Sequence, residues 1–404
     1  MIAFVGLALL HVLGSVLRAV VSKEPVLDCL RSPTSWALSL GLLFTSALGF
    51  PGMITGAVLL LFVRQLPRPP SMASVHFPWT LLGVVALIVL ARPWVPTQWD
   101  EFVWLAKARF ESLGFATGVR MALDPTQHVV PPGYPPLWPL AIGWVSLGVD
   151  QLEVQVVAAS LIGLACFATA LEAWWPLLSA HGARKMFGLA LLVGTPFLWV
   201  HARSLYIDLP VGLLGLAVLG FMVTDRLPLA CAVSVVIAGV KDEGLPHVVA
   251  ATLGVLALSR SRPLWPKLMP ALLAVGVVAT WRWQLRQHGV EVFDHAINAP
   301  AFEWLPTLGS LLARHATDVM TWGVFWPVSL AVLLTRTRHG TSPALRATLL
   351  AGFAFIALVL ILGPERVRVF AENGTLINRL LLQWWPTAAL LVWFELSSRE
   401  GEMR

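Results

Sequence analysis

The run VQVVAASLIGLACFATALEAWWPLL, residues 154–178, holds one charged side chain in an otherwise apolar sequence. An α-helix rises about 1.5 Å per residue and the hydrocarbon layer of a bilayer is roughly 30 Å thick, so ~20 apolar residues suffice to cross it. This run is long enough. Comparable candidates lie at 1–21, 78–94, 186–202, 209–224, 265–283, 316–334, 346–363 and 380–396. Over all 404 residues, 57% are hydrophobic and 12% are charged, against about 25% charged in soluble domains. The pattern predicts an all-α, polytopic transmembrane helix bundle of about 11–13 membrane segments.

Two further apolar stretches are interrupted. Residues 36–50 and 51–63 flank FPG (50–52), and residues 229–240 and 245–258 flank KDEGLP (241–246). Each half is short for a crossing, so each pair reads as a hairpin of short helices or a re-entrant segment. The net charge of +6 does not point to nucleic acid, because the cations punctuate the apolar runs instead of forming a patch. Cys29, Cys166 and Cys231 have no metal-ligand spacing and do not suggest a disulfide scaffold. The N-terminal MIAFVGLALLHVLG lacks a basic residue before its apolar run and reads as a first membrane helix, not a cleaved signal. Nineteen tryptophans suit a chain with much water–lipid boundary to anchor.

If the first helix starts outside, Arg18, Lys23, Arg31, Arg64 and Arg68 fall in the cytoplasm, and so do Arg184, Arg226, Arg260, Arg336, Arg346 and the tail 397–404. That alternation follows the positive-inside rule. The external loops are then 95–153, 203–208, 241–244, 284–315 and 364–379, and they gather most of the carboxylates. A working surface on the outer face of a cell (inner) membrane is the expectation.

The first large external loop opens with WDEFVWLAKARFESLG, residues 99–114. At about 100° per residue, Asp100, Trp104, Lys107 and Glu111 share one helical stripe, while Phe102, Val103, Ala106, Phe110 and Leu113 make up an apolar remainder. This predicts an amphipathic helix on the membrane surface. Asp100 and Glu101 sit in its first turn, where the helix dipole favours negative charge. They suit capping of a surface helix, and Asp100 also suits a general base facing a polar cavity.

Four more stretches follow in order: HVVPPGYPPLWPLAIGW (128–144), ARSLYIDLPVGLLGLAVL (202–219), IAGVKDEGLPHVVAATLGVLAL (237–258) and NGTLINRLLLQWWPTAALLV (373–392). Together with WDEFVWLAKARFESLG the series resembles the bacterial integral-membrane glycosyltransferases of the GT-C superfamily, of the dolichyl-phosphate-mannose mannosyltransferase type. The resemblance covers residues 78–396 as a catalytic domain, with 1–77 outside it and 397–404 as a cytoplasmic tail. It implies a base in the first external loop, matched by Asp100 of WDE beside Glu101. A second acidic position is matched by Asp208 in YIDLP. The tyrosine-proline segment is matched by Tyr134, Pro135 and Pro136, with His128 nearby. The KNEG-like segment is matched by Lys241, Asp242, Glu243 and Gly244, and a late arginine by Arg379. The chain departs from the pattern at Pro131 and Pro132, where relatives often carry a histidine, and at Gln383, where histidine or a small residue is usual.

The resemblance implies transfer of a sugar from a polyprenyl-phosphate-linked donor to an acceptor glycan, lipid or protein, with inversion. Lys107, Arg109, Arg203, Lys241 and Arg379 would meet the donor phosphate, and Tyr134, His128 and Glu243 belong to the substrate loop. No cofactor is certain; magnesium or manganese is an option, with Asp208 as one ligand. Structural duties fit several of these residues equally well: Asp208 as a helix cap, Lys241 at a hairpin tip, Arg203 as an interfacial anchor, Tyr134 as a strut in a stiff proline loop. The alternative function is a membrane transporter or lipid flippase with outward-facing acidic residues, which predicts charges at mid-membrane depth and two symmetric halves.

Overall fold

A computed structural model describes residues 1–22, 25–65, 99–111, 115–126, 133–178, 195–202, 204–258, 264–290, 298–335 and 340–397. Among these residues there are helices and no strands. The candidate span 78–94, most of 186–202, the residues His128 and Arg203, and the tail beyond Ser397 lie outside the described residues.

The first part of the chain supplies α1 (Ile2–Ser22), α2 (Val26–Leu30), α3 (Ser35–Ala47) and α4 (Gly49–Gln65). The first large loop supplies α5 (Trp99–Glu111), α6 (Phe115–Ala122) and α7 (Leu137–Val145), followed by α8 (Leu152–Leu178) and the short α9 (Pro196–Ala202). Next come α10 (Asp208–Val223), α11 (Leu227–Val240), α12 (Gly244–Leu258) and α13 (Trp265–Gln287). The last third holds α14 (Leu305–Ala316), α15 (Val319–Trp322), α16 (Phe325–Leu334), α17 (Ser342–Leu362), α18 (Glu365–Glu372) and α19 (Thr375–Ser397).

Four of these helices, α1, α8, α13 and α17, are long and apolar enough to cross a membrane. Helix α10 is apolar on every side, which marks a helix surrounded by others. All its residues from Asp208 to Met222 are buried, and α8, α11, α12 and α19 pack around it. With 14–16 residues, α10, α11 and α12 are only about 21–24 Å long. Hereafter the end of the bundle where α10 starts is the head and the opposite end the foot.

Residues 1–65 share one core with the rest: Leu10, Trp36, Phe44 and Leu59 join the same buried cluster as Val218 and Leu391. The attachment is polar as well. At the foot the buried Glu172 of α8 accepts from the Ser32 hydroxyl (2.7 Å), the Thr34 amide (2.9 Å) and the Thr34 hydroxyl (2.6 Å). Arg226 stands 3.9 Å from the same carboxylate and donates to the backbone carbonyls of Glu172 and Ala173.

Four expectations need correction. The first hairpin break falls earlier than FPG suggests, at Leu48, while the second falls at residues 241–243, within KDEGLP. Pro51 and Pro246 lie in the first turns of α4 and α12, where a missing N–H costs no intrahelical bond. The span 316–334 is two helices, because Asp318 caps α15 through the Met320 amide and Gly323 adopts φ 58°. Helix α5 does not present the stripe read from its sequence. Glu101, Trp104, Leu105 and Ala108 are its buried face and Phe102 is half exposed, since one face of α5 packs against α7. Lastly, Trp138, Trp174, Trp281, Trp322, Trp326 and Trp384 are core pillars with almost no exposure. Their rings fill large volumes and a single N–H needs one acceptor; Trp174 finds the Leu216 carbonyl at 2.8 Å and Trp281 the Gly133 carbonyl at 3.1 Å.

Candidate active site

At the head, three helix ends meet on one carboxylate. Asp208 opens α10 and is fully buried. Its Oδ1 accepts from the Lys241 ammonium and the Gln383 amide, each at 2.8 Å, and its Oδ2 accepts from Arg379 Nε at 2.8 Å. An ionised carboxylate accepting from two cations and an amide is held by charge-assisted bonds. Such a group is committed to orienting its donors.

Local structure explains why these partners arrive. Helix α11 ends at Lys241, whose extended backbone (φ −158°, ψ 148°) throws the side chain away from the helix axis. The chain then turns tightly into α12 at Gly244, where any Cβ would lie 2.2 Å from the Ile237 carbonyl oxygen. Arg379 and Gln383 are four residues apart on α19 and therefore share a face. That face reaches Asp208 because α10 and α19 touch through Gly212, where a Cβ would fall 2.3 Å from the Gln383 carbonyl oxygen.

The cluster extends in both directions. Lys241 also bridges Glu243 Oε1 at 2.9 Å, and its ammonium stands 5.9 Å from the Tyr134 ring centre. Burial pulls this ammonium toward its neutral form, but the Asp208 and Glu243 carboxylates outweigh burial and hold it above the ordinary lysine range. Asp242 pairs with Arg282 of α13 at 2.6 Å and so fixes the hairpin tip. The Arg379 guanidinium, 24% exposed, stacks 5.0 Å from the Tyr206 ring. Behind Gln383, the His247 ring stacks on Trp384 at 3.9 Å, with its Nε2 3.4 Å from Gln383 Oε1.

Loop residues reach the same place. Glu101, wholly buried in the first turn of α5, accepts from the Leu205 amide at 2.7 Å, three residues before Asp208. Trp104 lies 5.8 Å from Tyr134, and Lys107 stands 5.5 Å from the Trp104 ring. The structure thus brings together Asp208, Lys241, Glu243, Arg379, Tyr134 and Glu101, with Lys107 at the margin. Arg109 is elsewhere, in an exposed pair with Asp150 at 2.8 Å. Such a pair contributes at most about 1 kcal/mol. Asp100 lies in the first turn of α5 and its side chain is outside the described residues, as are His128 and Arg203.

Gln383, His247 and Arg282 were not expected as members. The i, i+4 spacing of Gln383 from Arg379 was the available signal; His247 and Arg282 gave none. Among the described residues no three His, Cys, Asp or Glu side chains form a group able to hold a metal. Asp208, the residue considered as a ligand, has both oxygens engaged by Lys241, Gln383 and Arg379. These neighbours do not fit a divalent cation, and no step is derived through one.

Beside the cluster runs a half-open apolar cleft between α7, α8 and α10, closed above by the turn at 204–207; Trp138, Gly163, Phe167, His201, Tyr206 and Leu213 are among its walls. No family model, no curated protein and no solved structure matches this chain.

Proposed function

We propose that this chain is an inverting membrane glycosyltransferase that takes a sugar from a polyprenyl-phosphate donor, with Asp100 as general base. The observation that carries the reading is the tie between α5 and the segment leading into Asp208: Glu101, in the first turn of α5, accepts from the Leu205 amide, three residues before Asp208. Asp100 immediately precedes Glu101 in that turn. The acceptor hydroxyl gives its proton to the Asp100 carboxylate as its oxygen bonds to the anomeric carbon. The bond from that carbon to the phosphate oxygen breaks on the opposite face, and polyprenyl phosphate leaves with the electron pair. Lys241 and the partly exposed Arg379 provide the positive charge against which the departing phosphate develops. Asp208 and Glu101 are positioning residues here: one holds the cations, the other holds the helix.

The test is transfer from a defined polyprenyl-phosphate sugar in membranes, comparing wild type with Asp100→Asn. Loss of the base should slow turnover by at least about 100-fold with little change in KM; undiminished turnover removes Asp100 from the mechanism.

In this reading the chain crosses the inner membrane about 11–13 times and the head faces outward. The foot carries Arg226 and Arg346, in keeping with the positive-inside rule. The three native cysteines are buried, so single reporters are practicable in the native background. A membrane-impermeant maleimide added to intact cells should label Thr126→Cys and spare Gly340→Cys, both at exposed positions. The opposite pattern reverses the orientation.

A further inference from the structure

One buried polar side chain at the head has no part in the transfer step and carries more polarity than packing requires. His247 of α12 is buried and stacks on Trp384 of α19, with ring centres 3.9 Å apart and planes 19° from parallel. Two glycines make room for that stack. A Cβ at Gly215 of α10 would lie 2.7 Å from His247 Nδ1, and a Cβ at Gly352 of α17 would overlap the Trp384 ring. A phenylalanine would fill the same slot without burying an imidazole, whose lost hydration must be offset by a hydrogen bond. Among the described residues the partner is Gln383 Oε1, 3.4 Å from His247 Nε2.

Donors and acceptors run one way from this ring to Asp208. The Asp208 carboxylate only accepts, so the Gln383 amide must turn its NH2 toward it, and Nε2 donates to Oδ1 at 2.8 Å. The amide oxygen is thereby left facing His247, whose Nε2 must carry the proton. Each bond in such a chain polarises the next. Gln383 differs from the other two groups on Asp208. Lys241 and Arg379 bring charge, whereas a buried amide left with its oxygen unpaired is destabilising on balance.

We propose that His247 is a positioning residue for the transfer: its Nε2–H holds the Gln383 amide against Asp208, and through Asp208 it fixes Lys241 and Arg379 for the departing phosphate. This rests on the reaction proposed above. Two substitutions separate the hydrogen bond from the packing. His247→Phe keeps a flat ring on Trp384 and removes the donor, while His247→Gln removes the ring and keeps an N–H at similar reach. Transfer from a defined polyprenyl-phosphate sugar, measured per folded protein in membranes, should fall about tenfold in His247→Phe, the worth of one net hydrogen bond. Transfer by His247→Gln should exceed it, even though loss of the stack lowers the melting midpoint of that variant in detergent. A role in packing alone gives the opposite order of transfer and overturns the proposal.

Thermal unfolding of the full-length protein follows the same chain without turnover. In Gln383→Met the histidine has no amide to hold, so adding His247→Phe should shift the melting midpoint far less than it does in wild type. The same attenuation is expected in Asp208→Asn, because Gln383 links His247 to that carboxylate. Additive shifts in either background, or undiminished transfer by His247→Phe, overturn the proposal. Should His247→Gln fail to fold, these cycles decide alone. The two readings fail separately. Coupled shifts in a protein that transfers no sugar sink the enzyme and leave the hydrogen-bonded chain, while wild-type transfer by His247→Phe sinks the positioning role and leaves the enzyme.

Discussion

Asp208→Asn should both destabilise the fold and abolish activity. The substitution preserves size and removes the charge on which Lys241 and Arg379 converge at 2.8 Å. It also turns one acceptor atom into a donor facing donors. Removing one partner of a buried ion pair costs about 3–5 kcal/mol, because the remaining charge is left without compensation. Lys241 keeps Glu243 at 2.9 Å, which places the expected loss at the lower end of that range. Thermal unfolding in detergent measures it. Transfer should fall on the order of 1,000-fold, since the two cations proposed to meet the departing phosphate lose their anchor. A triple variant, Asp208→Leu with Lys241→Met and Arg379→Met, separates the two effects. Replacing a buried ionic group by packed apolar residues is often neutral or stabilising, but Glu243 and Gln383 lose Lys241 and Asp208 as partners, so this variant should melt between Asp208→Asn and wild type and remain inactive. A triple variant that transfers sugar would show that the cluster is a structural staple only.

The second large effect is expected at Gly212. A Cβ there would lie 2.3 Å from the Gln383 carbonyl oxygen and 2.9 Å from its carbonyl carbon. The obstacle is backbone, so it cannot rotate aside as a flexible side chain would. Small residues let membrane helices approach this closely. Gly212→Leu must push α19 away from α10, at a cost of about 3 kcal/mol or more, the upper part of the range for overpacked cores. The displacement also carries Gln383 and Arg379 off Asp208. Gly212→Ala should give a smaller loss in the same direction. Melting midpoints of the two variants in detergent check the order, and a leucine variant as stable as wild type would mean that α10 and α19 are not in contact at this point.

The glycosyltransferase reading predicts charge near one end of the helices, and the transporter reading predicts charge at mid-depth. The Asp208 cluster lies at the starts of α10, α12 and α19 and the end of α11, which favours transfer. Asp208 and Lys241 are nevertheless buried within the bundle, away from bulk water.

How much of this was legible in the sequence follows from range. Runs of apolar residues determined the helical class, because a segment without water to bond its backbone must satisfy it internally. The same runs gave the helix pairs α3–α4 and α11–α12, and the resemblance to the GT-C series of segments supplied Asp208, Lys241, Glu243 and Arg379 as candidates. Periodicity failed on α5. Its pattern assigned Trp104 and Asp100 to one polar stripe, yet Trp104 is buried with Glu101, because the face that packs against α7 need not be the most apolar one. The tertiary structure alone decided which charges share a pocket. Lys241, Arg379 and Gln383 stand 33, 171 and 175 positions from Asp208 in sequence, and contacts of that range depend on which helices pack together and how closely. That closeness is set by single glycines such as Gly212, whose spacing along the chain carries no mark of the partner it will meet.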